Sequence, residues 1–511
     1  MASSTTDQAT TGPVRVRMAP SPTGYFHVGS ARTALFGWLF ARRHGGQFIL
    51  RVEDTDRSRY VPDSLDDILD SMRWLGLDWD EGPEVGGDYG PYFQSQRLDL
   101  YHRHARQLVD EGHAYKCYCS PERLARVREE QRQRGDAHVG YDRHCRTLTA
   151  AQRAEYEAQS IVPVVRLMVP LEGESCFDDI VYGHICWDNA SIRDPVLLKS
   201  DAFPTYHLAN VIDDHYMGIT HIMRGDEWLS SVPMHILLYA AFGWEPPLYS
   251  HVPIILNPSG KGKMSKRKGA AGEVFPVFVK EFRAAGYLPE ALFNLLAGLG
   301  WSYDPEEEIF TPQLAMSRFR LQDINPSAAA FPFDKLEWMN GVYIRGLSQD
   351  ELCQRLAPFV AAGLGMAEED LLARPELRQF TPLIQERLKL LTDATPLIDY
   401  AFRNDLELDP ALLVGKKMTP GASLDALQAA SAHIAEMPAF DSDTIDVSLR
   451  ALAADLGLKA GQLFGIIRIA TTGKKVAPPL FGTLAILGQE RVLARMDAAE
   501  ALLRELVVSE A

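Results

Sequence analysis

Two short segments, far apart in the chain, combine residue types that suit phosphate chemistry. The first is His27-Val28-Gly29-Ser30, which follows a proline- and glycine-rich turn at the predicted start of a helix. A helix N-terminus offers unpaired N–H groups and partial positive charge, and both favour a phosphate group. Gly29 lets the backbone approach a ligand closely, and His27 can donate a hydrogen bond to a phosphate oxygen. Taken alone, the four residues are more typical of a turn histidine that caps its own loop.

The second segment is the basic loop KGKMSKRKG over residues 261–269, which contains Lys263, Ser265 and Lys266. A flexible cationic loop can close over a triphosphate and stabilise the charge that develops during phosphoryl chemistry. The alternative is a solvated surface loop, which is the usual role of a basic run.

Cysteines form a third candidate site. Cys117 and Cys119 lie one residue apart, and Cys145 follows in the same part of the chain. Three thiolates could begin a tetrahedral zinc site. The alternative is free cysteines in a helical hairpin, and the spacing leaves both interpretations open.

The phosphate-binding residues need elements that position them. Residues 14–18 have the period-two pattern of a strand, and the apolar segment 47–52 is a second strand. Residues 30–43 and 62–75 have helical periodicity, with Pro62 as a first helical position. Strand and helix alternate with short connections. This order predicts a parallel α/β sheet with right-handed connections.

The pattern changes in the middle of the chain. Residues 95–205 contain five of the six cysteines, a charged helix over 121–134 and β-like residues at 161–167, so we predict an insertion into the α/β domain. The α/β pattern resumes near Tyr206. Helical periodicity dominates from Ser348 onward.

Composition limits the classes of protein that fit. The chain has 511 residues, a net charge of −16 and 46% hydrophobic residues, which is ordinary globular usage. The acidic balance argues against a protein that holds nucleic acid by bulk charge. No apolar run is long enough to span a bilayer, and residues 1–12 read as a disordered tail rather than a secretory signal. Sparse cysteines fit a reducing cytoplasm.

Taken together, the motifs carry a family resemblance. His27-Val28-Gly29-Ser30 and Lys263-Met264-Ser265-Lys266-Arg267 resemble the "HIGH" and "KMSKS" motifs of class I aminoacyl-tRNA synthetases. Further segments are similar to bacterial glutamyl-tRNA synthetases, in order along most of the chain: RMAPSPTG at 17–24, RVEDTD at 51–56, YHLAN at 206–210, RGDEW at 224–228, NLLAGLGW at 294–301 and KLEWMN at 335–340. The departures at Ser30 and Arg267 are tolerated variants in the glutamate subfamily.

The resemblance implies a fold and a set of domains. The fold class is α/β: a Rossmann-type parallel-sheet catalytic domain with an inserted acceptor-binding domain, followed by an all-α anticodon-binding half. After the disordered tail (1–12), the expected domains are the first catalytic half (13–94), the acceptor-stem-binding insertion (95–205), the second catalytic half with the lysine loop (206–275), a stem-contact domain (276–345) and the helical anticodon-binding domain (346–511).

The resemblance also implies an activity. The expected enzyme is a glutamate–tRNA ligase that uses ATP with Mg²⁺, L-glutamate and tRNA-Glu, as a cytoplasmic monomer without membrane contact. The implied catalytic residues are His27, Lys263 and Lys266. The implied ATP-binding residues are His27, Gly29, Ser30, Trp228, Lys263, Ser265 and Lys266. The implied glutamate-binding residues are Arg17, Ala19, Ser21, Glu53, Tyr206, Asn210 and Arg224.

These assignments agree with the chemistry of glutamate. Its carboxylates need cationic donors, and the planar guanidinium groups of Arg17 and Arg224 suit bidentate recognition. Its ammonium needs a negative partner, which Glu53 supplies. The alternative is that Arg17 and Glu53 form an ordinary ion pair at a strand edge.

The resemblance also concerns zinc and tRNA. Some family members hold zinc with a C-x-C…C-x-H pattern, but Thr147 occupies the last position here, so Tyr141 or His144 would have to substitute. Arginines of the 121–134 helix place positive charge on the insertion, although its glutamates could neutralise them. Arg387 falls on a segment that resembles the anticodon reader of the family.

Three alternatives share some of these features. A glutaminyl-tRNA synthetase has the same catalytic motifs, but its anticodon domains are β-barrels, whereas residues 348–505 have helical periodicity. A nucleotidyltransferase would leave Arg17, Glu53, Tyr206 and Arg224 without a role. A non-catalytic tRNA-binding relative would be expected to have lost His27 or Lys266.

Overall fold

The computed structural model describes residues 12–136, 138–265, 275–304 and 306–510. The predicted disordered tail, apart from Gly12, and Lys266 of the lysine loop lie outside the described residues. The chain forms two compact units. The first takes in residues up to 282 together with 292–333, and the second takes in 283–291 together with the residues from 334 onward.

Eleven strands and twenty-one α-helices are found within the described residues. The strands are β1 Arg15–Met18, β2 Gln47–Leu50, β3 Ala114–Cys117, β4 Val164–Leu167, β5 Glu174–Asp179, β6 Gly183–Asp188, β7 Val196–Leu198, β8 His221–Gly225, β9 Leu248–Val252, β10 Ile255–Leu256 and β11 Ala329–Ala330. The helices up to residue 318 are α1 Val28–Arg43, α2 Ser64–Trp74, α3 Leu98–Asp110, α4 Pro121–Arg134, α5 Ala150–Ala158, α6 Tyr206–Tyr216, α7 Val232–Phe242, α8 Val279–Ala285, α9 Pro289–Gly298 and α10 Pro312–Arg318. The remaining helices are α11 Phe333–Gly346, α12 Gln349–Leu364, α13 Glu368–Leu372, α14 Pro375–Ile384, α15 Ala394–Ile398, α16 Pro410–Leu413, α17 Pro420–Ala435, α18 Ser442–Asp455, α19 Ala460–Thr472, α20 Leu480–Leu487 and α21 Gln489–Glu510.

A six-stranded sheet forms the centre of the first unit, with the strand order β2-β1-β8-β9-β5-β6. The first five strands are parallel, and β6 pairs antiparallel to β5 at the edge. From β1 the chain passes through α1 to β2 on one side, while β8 lies on the other side. Ligands of open α/β sheets bind at such a change of direction, outside the carboxyl ends of the strands.

Two predicted helix starts need correction. The first helix begins at Val28 rather than Ser30, because His27 has extended backbone angles and its side chain caps the helix. The second begins at Ser64, so Pro62 is not a first helical position. Asp63 adopts a left-handed conformation with φ of 62°, which ends the preceding turn before the helix can begin.

The predicted insertion contributes to the central sheet. Strands β3, β4 and β7 form a separate three-stranded antiparallel sheet, but β5 pairs with β9 and brings β6 with it. Residues 174–188 therefore extend the sheet that carries the second catalytic half. The chain also joins Cys176 to Cys186 in a disulfide across this hairpin, whereas Cys117, Cys119, Cys145 and Cys353 are free.

The described residues from 334 onward are helical, from α11 to α21. Their core is aliphatic, because Leu427, Leu463 and Leu503 are fully buried on α17, α19 and α21. The all-α character predicted for this half agrees with the structure. No helix of the described chain has both the length and the apolarity required to cross a membrane.

Candidate active site

A large cavity opens at the carboxyl ends of β1 and β8, with a volume of about 1460 Å³. Small-molecule pockets usually measure about 300–1,000 Å³, so this cavity has room for an amino acid and a nucleotide together. Of the described residues predicted for the ATP and glutamate sites, Asn210 alone does not line this cavity. The residues that line it are Arg17, Ala19, Ser21, His27, Gly29, Ser30, Glu53, Tyr206, Arg224, Trp228, Lys263 and Ser265.

The N-terminus of α1 faces this cavity. The Gly29 N–H donates a hydrogen bond of 3.0 Å to His27 Nδ1, so the neutral ring carries its proton on Nε2. Burial and the neighbouring Lys263 lower the pKa of His27 below its usual value. The imidazole is therefore neutral at pH 7, and its Nε2–H donates to the Met264 backbone at the base of the lysine loop. His27 both caps the helix and lines the cavity, so the two interpretations of this motif are compatible.

Asn257 shapes the base of the lysine loop. Its side-chain amide donates to the carbonyl oxygens of Lys261 and Lys263, both at 3.1 Å, and its side-chain oxygen accepts from the Ser265 N–H at 3.3 Å. Met264 is buried and its N–H donates to Ile255 O. The Lys263 ammonium lies 2.7 Å from Glu227 at the cavity wall. The loop therefore presents a lysine to the cavity from a fixed base.

Arg224 of β8 is held on three sides. Its Nε donates to His251 Nε2 at 3.0 Å, its Nη1 donates to the Tyr206 hydroxyl at 2.7 Å, and its Nη2 lies 3.4 Å from the Trp228 carbonyl oxygen. His251 can accept from the arginine only as a neutral ring, and its Nδ1 proton is donated to Asp179 at 2.6 Å. Burial lowers the pKa of His251, which keeps the ring neutral.

Arg17 of β1 forms a buried ion pair with Asp214 of α6. Its Nε and Nη2 donate to the two carboxylate oxygens at 3.0 and 3.3 Å, and Arg51 donates to the same carboxylate at 2.7 Å. Burial would lower the pKa of Arg17, but Asp214 raises it above its ordinary value. Arg17 and Arg224 both act electrostatically on the half-buried Tyr206. All three residues line the cavity.

Glu53 follows β2 and supplies negative charge at this end. Its Oε1 lies 3.2 Å from Arg51 Nη2. Burial raises the pKa of Glu53, and the cations of Arg51 and Arg17 oppose that increase. Its ion partner is therefore Arg51, and Arg17 pairs with Asp214 instead.

Asn210, predicted to bind glutamate, does not line the cavity. It lies on α6 one turn after Tyr206, as the sequence predicted, but it is fully buried beneath the cavity. In the amide orientation that satisfies its neighbours, its oxygen accepts from Arg17 and Arg51 and its nitrogen donates to Asp214, each at 3.1 Å. Asn210 thus positions the arginines, and it is not among the residues that line the cavity.

The buried acidic pair of α6 was missed at the sequence level. Asp213 accepts from Arg97 and Tyr101, both at 2.7 Å, and from Gln94 at 3.0 Å. Asp214, the next residue, anchors Arg17 as described. The segment ANVIDD at 209–214 places two adjacent aspartates next to apolar residues, which indicates that they are buried. Buried carboxylates need cationic or hydrogen-bonding partners, so this pattern could have predicted an anchor for nearby arginines.

The two ends of the cavity suit different ligand groups. At one end, the guanidinium groups of Arg17 and Arg224, the Tyr206 hydroxyl and the Glu53 carboxylate suit a small ligand with two carboxylates and an ammonium. At the other end, the α1 N-terminus, His27 and Lys263 suit a polyphosphate.

A second cluster lies in the antiparallel sheet region. The sulfurs of Cys117, Cys119 and Cys145 all lie within 4.8 Å of one another, and Cys119 and Cys145 are 3.4 Å apart. The Tyr141 hydroxyl accepts from the Cys145 N–H at 2.9 Å and hydrogen-bonds to the Cys117 side chain. Three thiols and one phenol thus converge, with Tyr141 rather than His144 as the fourth neighbour.

The charge of α4 is largely neutralised locally. Arg123 pairs with Asp142, Arg126 and Arg132 pair with glutamates of the helix itself, and Arg134 pairs with Asp136. Arg128 is exposed, and no ion pair is recorded for it within the described residues. In the helical unit, Arg387 is exposed and donates to Ala477 O at 2.7 Å.

The chain is similar to known proteins over most of its length. The model of the family "tRNA synthetases class I (E and Q), catalytic domain" matches residues 13–338, and that of the "Anticodon binding domain" matches residues 351–500. The chain is 48% identical over 496 residues to a glutamate–tRNA ligase of Dehalococcoides mccartyi, which covers 97% of this chain and 99% of the relative. A glutamate–tRNA ligase of a Roseiflexus species is also 48% identical, with 96% and 97% covered.

A solved structure is similar over the same length. The crystal structure of a glutamate tRNA ligase from Elizabethkingia meningosepticum, in complex with its amino acid, has a TM-score of 0.85 and 33% identity, and the match covers 96% of this chain and 99% of that one. The matches span the catalytic and the anticodon-binding parts alike. The chain therefore belongs to the class I tRNA synthetase family for glutamate and glutamine.

Proposed function

We propose that this protein is a glutamate–tRNA ligase, which activates L-glutamate with ATP and transfers it to the 3′-terminal adenosine of tRNA-Glu. The family membership and the near-complete coverage of glutamate–tRNA ligases support this activity. The single observation that carries it is the cavity, where groups for a dicarboxylic amino acid and groups for a polyphosphate line one space.

The amino-acid end of the cavity fits glutamate better than glutamine. Arg224 offers only N–H donors, which pair with both oxygens of a carboxylate. The NH₂ group of glutamine would face these donors without an acceptor, and an unpaired buried polar group costs about 1–3 kcal/mol. We therefore assign the side-chain carboxylate to Arg224 and Tyr206, with Arg17 nearby, and the ammonium to Glu53. Ser21 and the Ala19 backbone supply further hydrogen bonds.

ATP would lie with its phosphates at the N-terminus of α1. The Ser30 N–H and the Lys263 ammonium are the donors for the phosphate oxygens, because the Val28 and Gly29 N–H groups already donate to Val277 O and His27 Nδ1. His27 would join them by exchanging its Met264 backbone partner for a phosphate oxygen. Trp228 and Ser265 line the same space. Lys266, the second lysine of the loop motif, is assigned to the transition state from the sequence motif alone.

Mg²⁺ fits this site as a companion of the phosphates. It usually binds through substrate phosphates and one or two carboxylates, and Asp56 and Glu227 line the cavity. When bound, it neutralises phosphate charge.

The reaction then needs positioning more than strong bases. The α-carboxylate of glutamate attacks the α-phosphorus of ATP, pyrophosphate leaves, and glutamyl-adenylate forms. His27 and Lys263 stabilise the charge on the phosphate oxygens during this step. A hydroxyl of the terminal adenosine next attacks the activated carbonyl, AMP leaves, and its phosphate takes the proton. The neutral state of His27 suits donation rather than proton abstraction.

Pyrophosphate exchange tests the activity directly. We expect exchange with glutamate in the presence of tRNA-Glu, little without tRNA, and little with glutamine. Exchange supported by glutamine, or by neither amino acid, would remove the assignment. Whether tRNA-Gln is also charged is a separate measurement with that tRNA.

We also propose partners and a location. The helical unit would bind the tRNA anticodon with Arg387, and the insertion would contact the acceptor stem. The protein would act as a cytoplasmic monomer, consistent with its family. Size-exclusion chromatography with light scattering tests the oligomeric state.

We propose zinc as a structural ion at Cys117, Cys119, Cys145 and Tyr141. Three thiolates and an oxygen donor satisfy the four-coordinate preference of zinc, and the four side chains already converge. Metal analysis of the purified protein should give one zinc at this cluster, lost in the Cys119→Ser variant. An equal zinc content in both proteins would contradict the proposal.

A further inference from the structure

A second group of metal-binding side chains lies on the hairpin β5–β6. In the register of these strands, Cys176 is opposite Cys186 and Asp178 is opposite His184. Residues two apart on a strand share a face, so all four side chains lie on the same face of the hairpin. The other face packs inward, because Phe177 and Asp179 are buried.

The geometry on this outer face is that of a soft-metal site. His184 Nδ1 lies 2.7 Å from Asp178, which accepts only, so the ring proton is on Nδ1. The Nε2 lone pair then points to the sulfurs and lies 3.3 Å from Cys186 Sγ. A carboxylate that fixes the tautomer of a histidine in this way is typical of zinc sites. The imidazole nitrogen and both sulfurs lie within 4.8 Å of one another.

We propose that the face of Cys176, Asp178, His184 and Cys186 binds a zinc-class divalent ion when the two cysteines are reduced. The thiolates of Cys176 and Cys186 and the Nε2 of His184 are the ligands, Asp178 positions the histidine, and water completes the tetrahedron. Zinc–sulfur bonds of about 2.3 Å and zinc–nitrogen bonds of about 2.0 Å give a sulfur–nitrogen separation of about 3.5 Å. The recorded 3.3 Å is close to this value.

The disulfide and the metal are alternative states of the same pair. A trialkylphosphine and water convert the disulfide to two thiols, and the phosphine becomes its oxide. Zn²⁺ then displaces the two thiol protons as it binds. The site is accessible for this exchange, because 65% of the His184 side chain and 85% of the Asp178 side chain are exposed. It is independent of the proposed function, because none of its ligands lines the cavity.

Zinc titration of the phosphine-reduced full-length protein, in competition with a chromophoric chelator, tests the proposal. We expect Cys186→Ser and His184→Asn to bind one zinc fewer than the wild type, whatever the Cys117 cluster binds. Asp178→Ala should keep the stoichiometry with about tenfold weaker binding, as expected for a residue that positions a ligand. His113→Asn, which changes an exposed histidine elsewhere, should match the wild type.

A second measurement uses the wild-type protein alone. Zinc should protect Cys176 and Cys186 of the reduced protein from alkylation, as read by peptide mass spectrometry, and diamide-oxidised protein should lose the corresponding zinc. Equal stoichiometry in the wild type, Cys186→Ser and His184→Asn would overturn the proposal, as would alkylation of both cysteines at the same rate with and without zinc.

Discussion

The Arg224 guanidinium is fixed before any substrate arrives. Its Nε is bound to His251 and its Nη1 to Tyr206, so the direction of its fork is set by the protein. A pre-organised donor loses little entropy on binding a carboxylate. We therefore expect this arginine to contribute to amino-acid selection more than its charge alone would suggest.

Arg224→Lys keeps the charge and removes the fork. We expect the KM for glutamate in tRNA-dependent pyrophosphate exchange to increase about 100-fold, because a hydrogen bond to a charged group contributes about 1.5–3 kcal/mol. The KM for ATP should change little, since the phosphate donors lie at the other end of the cavity. Arg106→Lys, on the exposed surface of α3, is the matched control. An unchanged KM for glutamate would contradict the assignment of Arg224.

At this scale, the sequence motifs point to residues that line the cavity but not to the partners of those residues. Arg17, Glu53 and Arg224 belong to motifs, and all line the cavity. Asp214, which anchors Arg17, and His251, which holds Arg224, belong to other elements and reach these arginines only through the fold. The periodicity of a sequence reports which face of an element is buried, and it does not identify contacts between distant segments.

At the scale of elements, the hairpin β5–β6 supports Arg224, and with it the proposed amino-acid site, from the far edge of the sheet. Asp179 at the end of β5 accepts from His251 of β9, which in turn accepts from Arg224 of β8. A period-two pattern predicts a strand but not the sheet that it joins. The sequence therefore predicts residues 174–188 to be part of the insertion, whereas in the structure they extend the sheet of the catalytic half.

His251→Leu tests the support that β9 gives to β8. The Arg224 Nε–H would be left buried and unpaired, at a cost of about 1–3 kcal/mol, so we expect the KM for glutamate to increase at least tenfold with a smaller change in kcat. His251→Gln offers an amide oxygen as acceptor and should restore much of the affinity. An equal increase in the KM for glutamate in the two variants would show that the His251 ring fills space without holding Arg224.

In the helical unit, Arg387 lies on a single turn after α14 and is exposed. If it reads an anticodon base edge, Arg387→Ala should raise the KM for tRNA-Glu by about tenfold or more, because one such contact contributes about 1–3 kcal/mol. The KM for glutamate should stay the same. Lys389→Ala, two residues away and also exposed, is the control for a non-specific loss of charge. Equal effects of the two variants on the KM for tRNA would refute a specific role for Arg387.

At the scale of the whole molecule, the net charge and the charge of α4, which lies in the part proposed to contact tRNA, differ in sign. The chain has a net charge of −16, and the arginines of α4 are largely paired with neighbouring acids. Binding of tRNA by such a surface requires these exposed pairs to exchange partners. Exposed pairs contribute only about 0–1 kcal/mol each, so phosphate groups can displace them at little cost.

The free energy of unfolding should decrease in acid, because the folded protein holds buried histidines in their neutral form. The His207 ring lies 3.1 Å from His235, and burial, with Arg224 nearby, lowers the pKa of His207 to about 4. The unfolded chain binds a proton at this residue near pH 6.5, whereas the folded chain resists it. The contribution of His207 to stability is therefore complete above about pH 6.5 and is lost as the pH falls toward 4.

Urea unfolding of the full chain between pH 7.5 and 4.5 measures this effect. Because His207→Asn removes the titrating group, we expect the variant to take up close to one proton fewer on unfolding near pH 5. Its free energy of unfolding should then fall less steeply with acid than that of the wild type. His113→Asn, at an exposed position, is the matched control for a histidine-to-asparagine change. Parallel pH profiles for the wild type and His207→Asn would show that the folded protein protonates His207 as readily as the unfolded chain does.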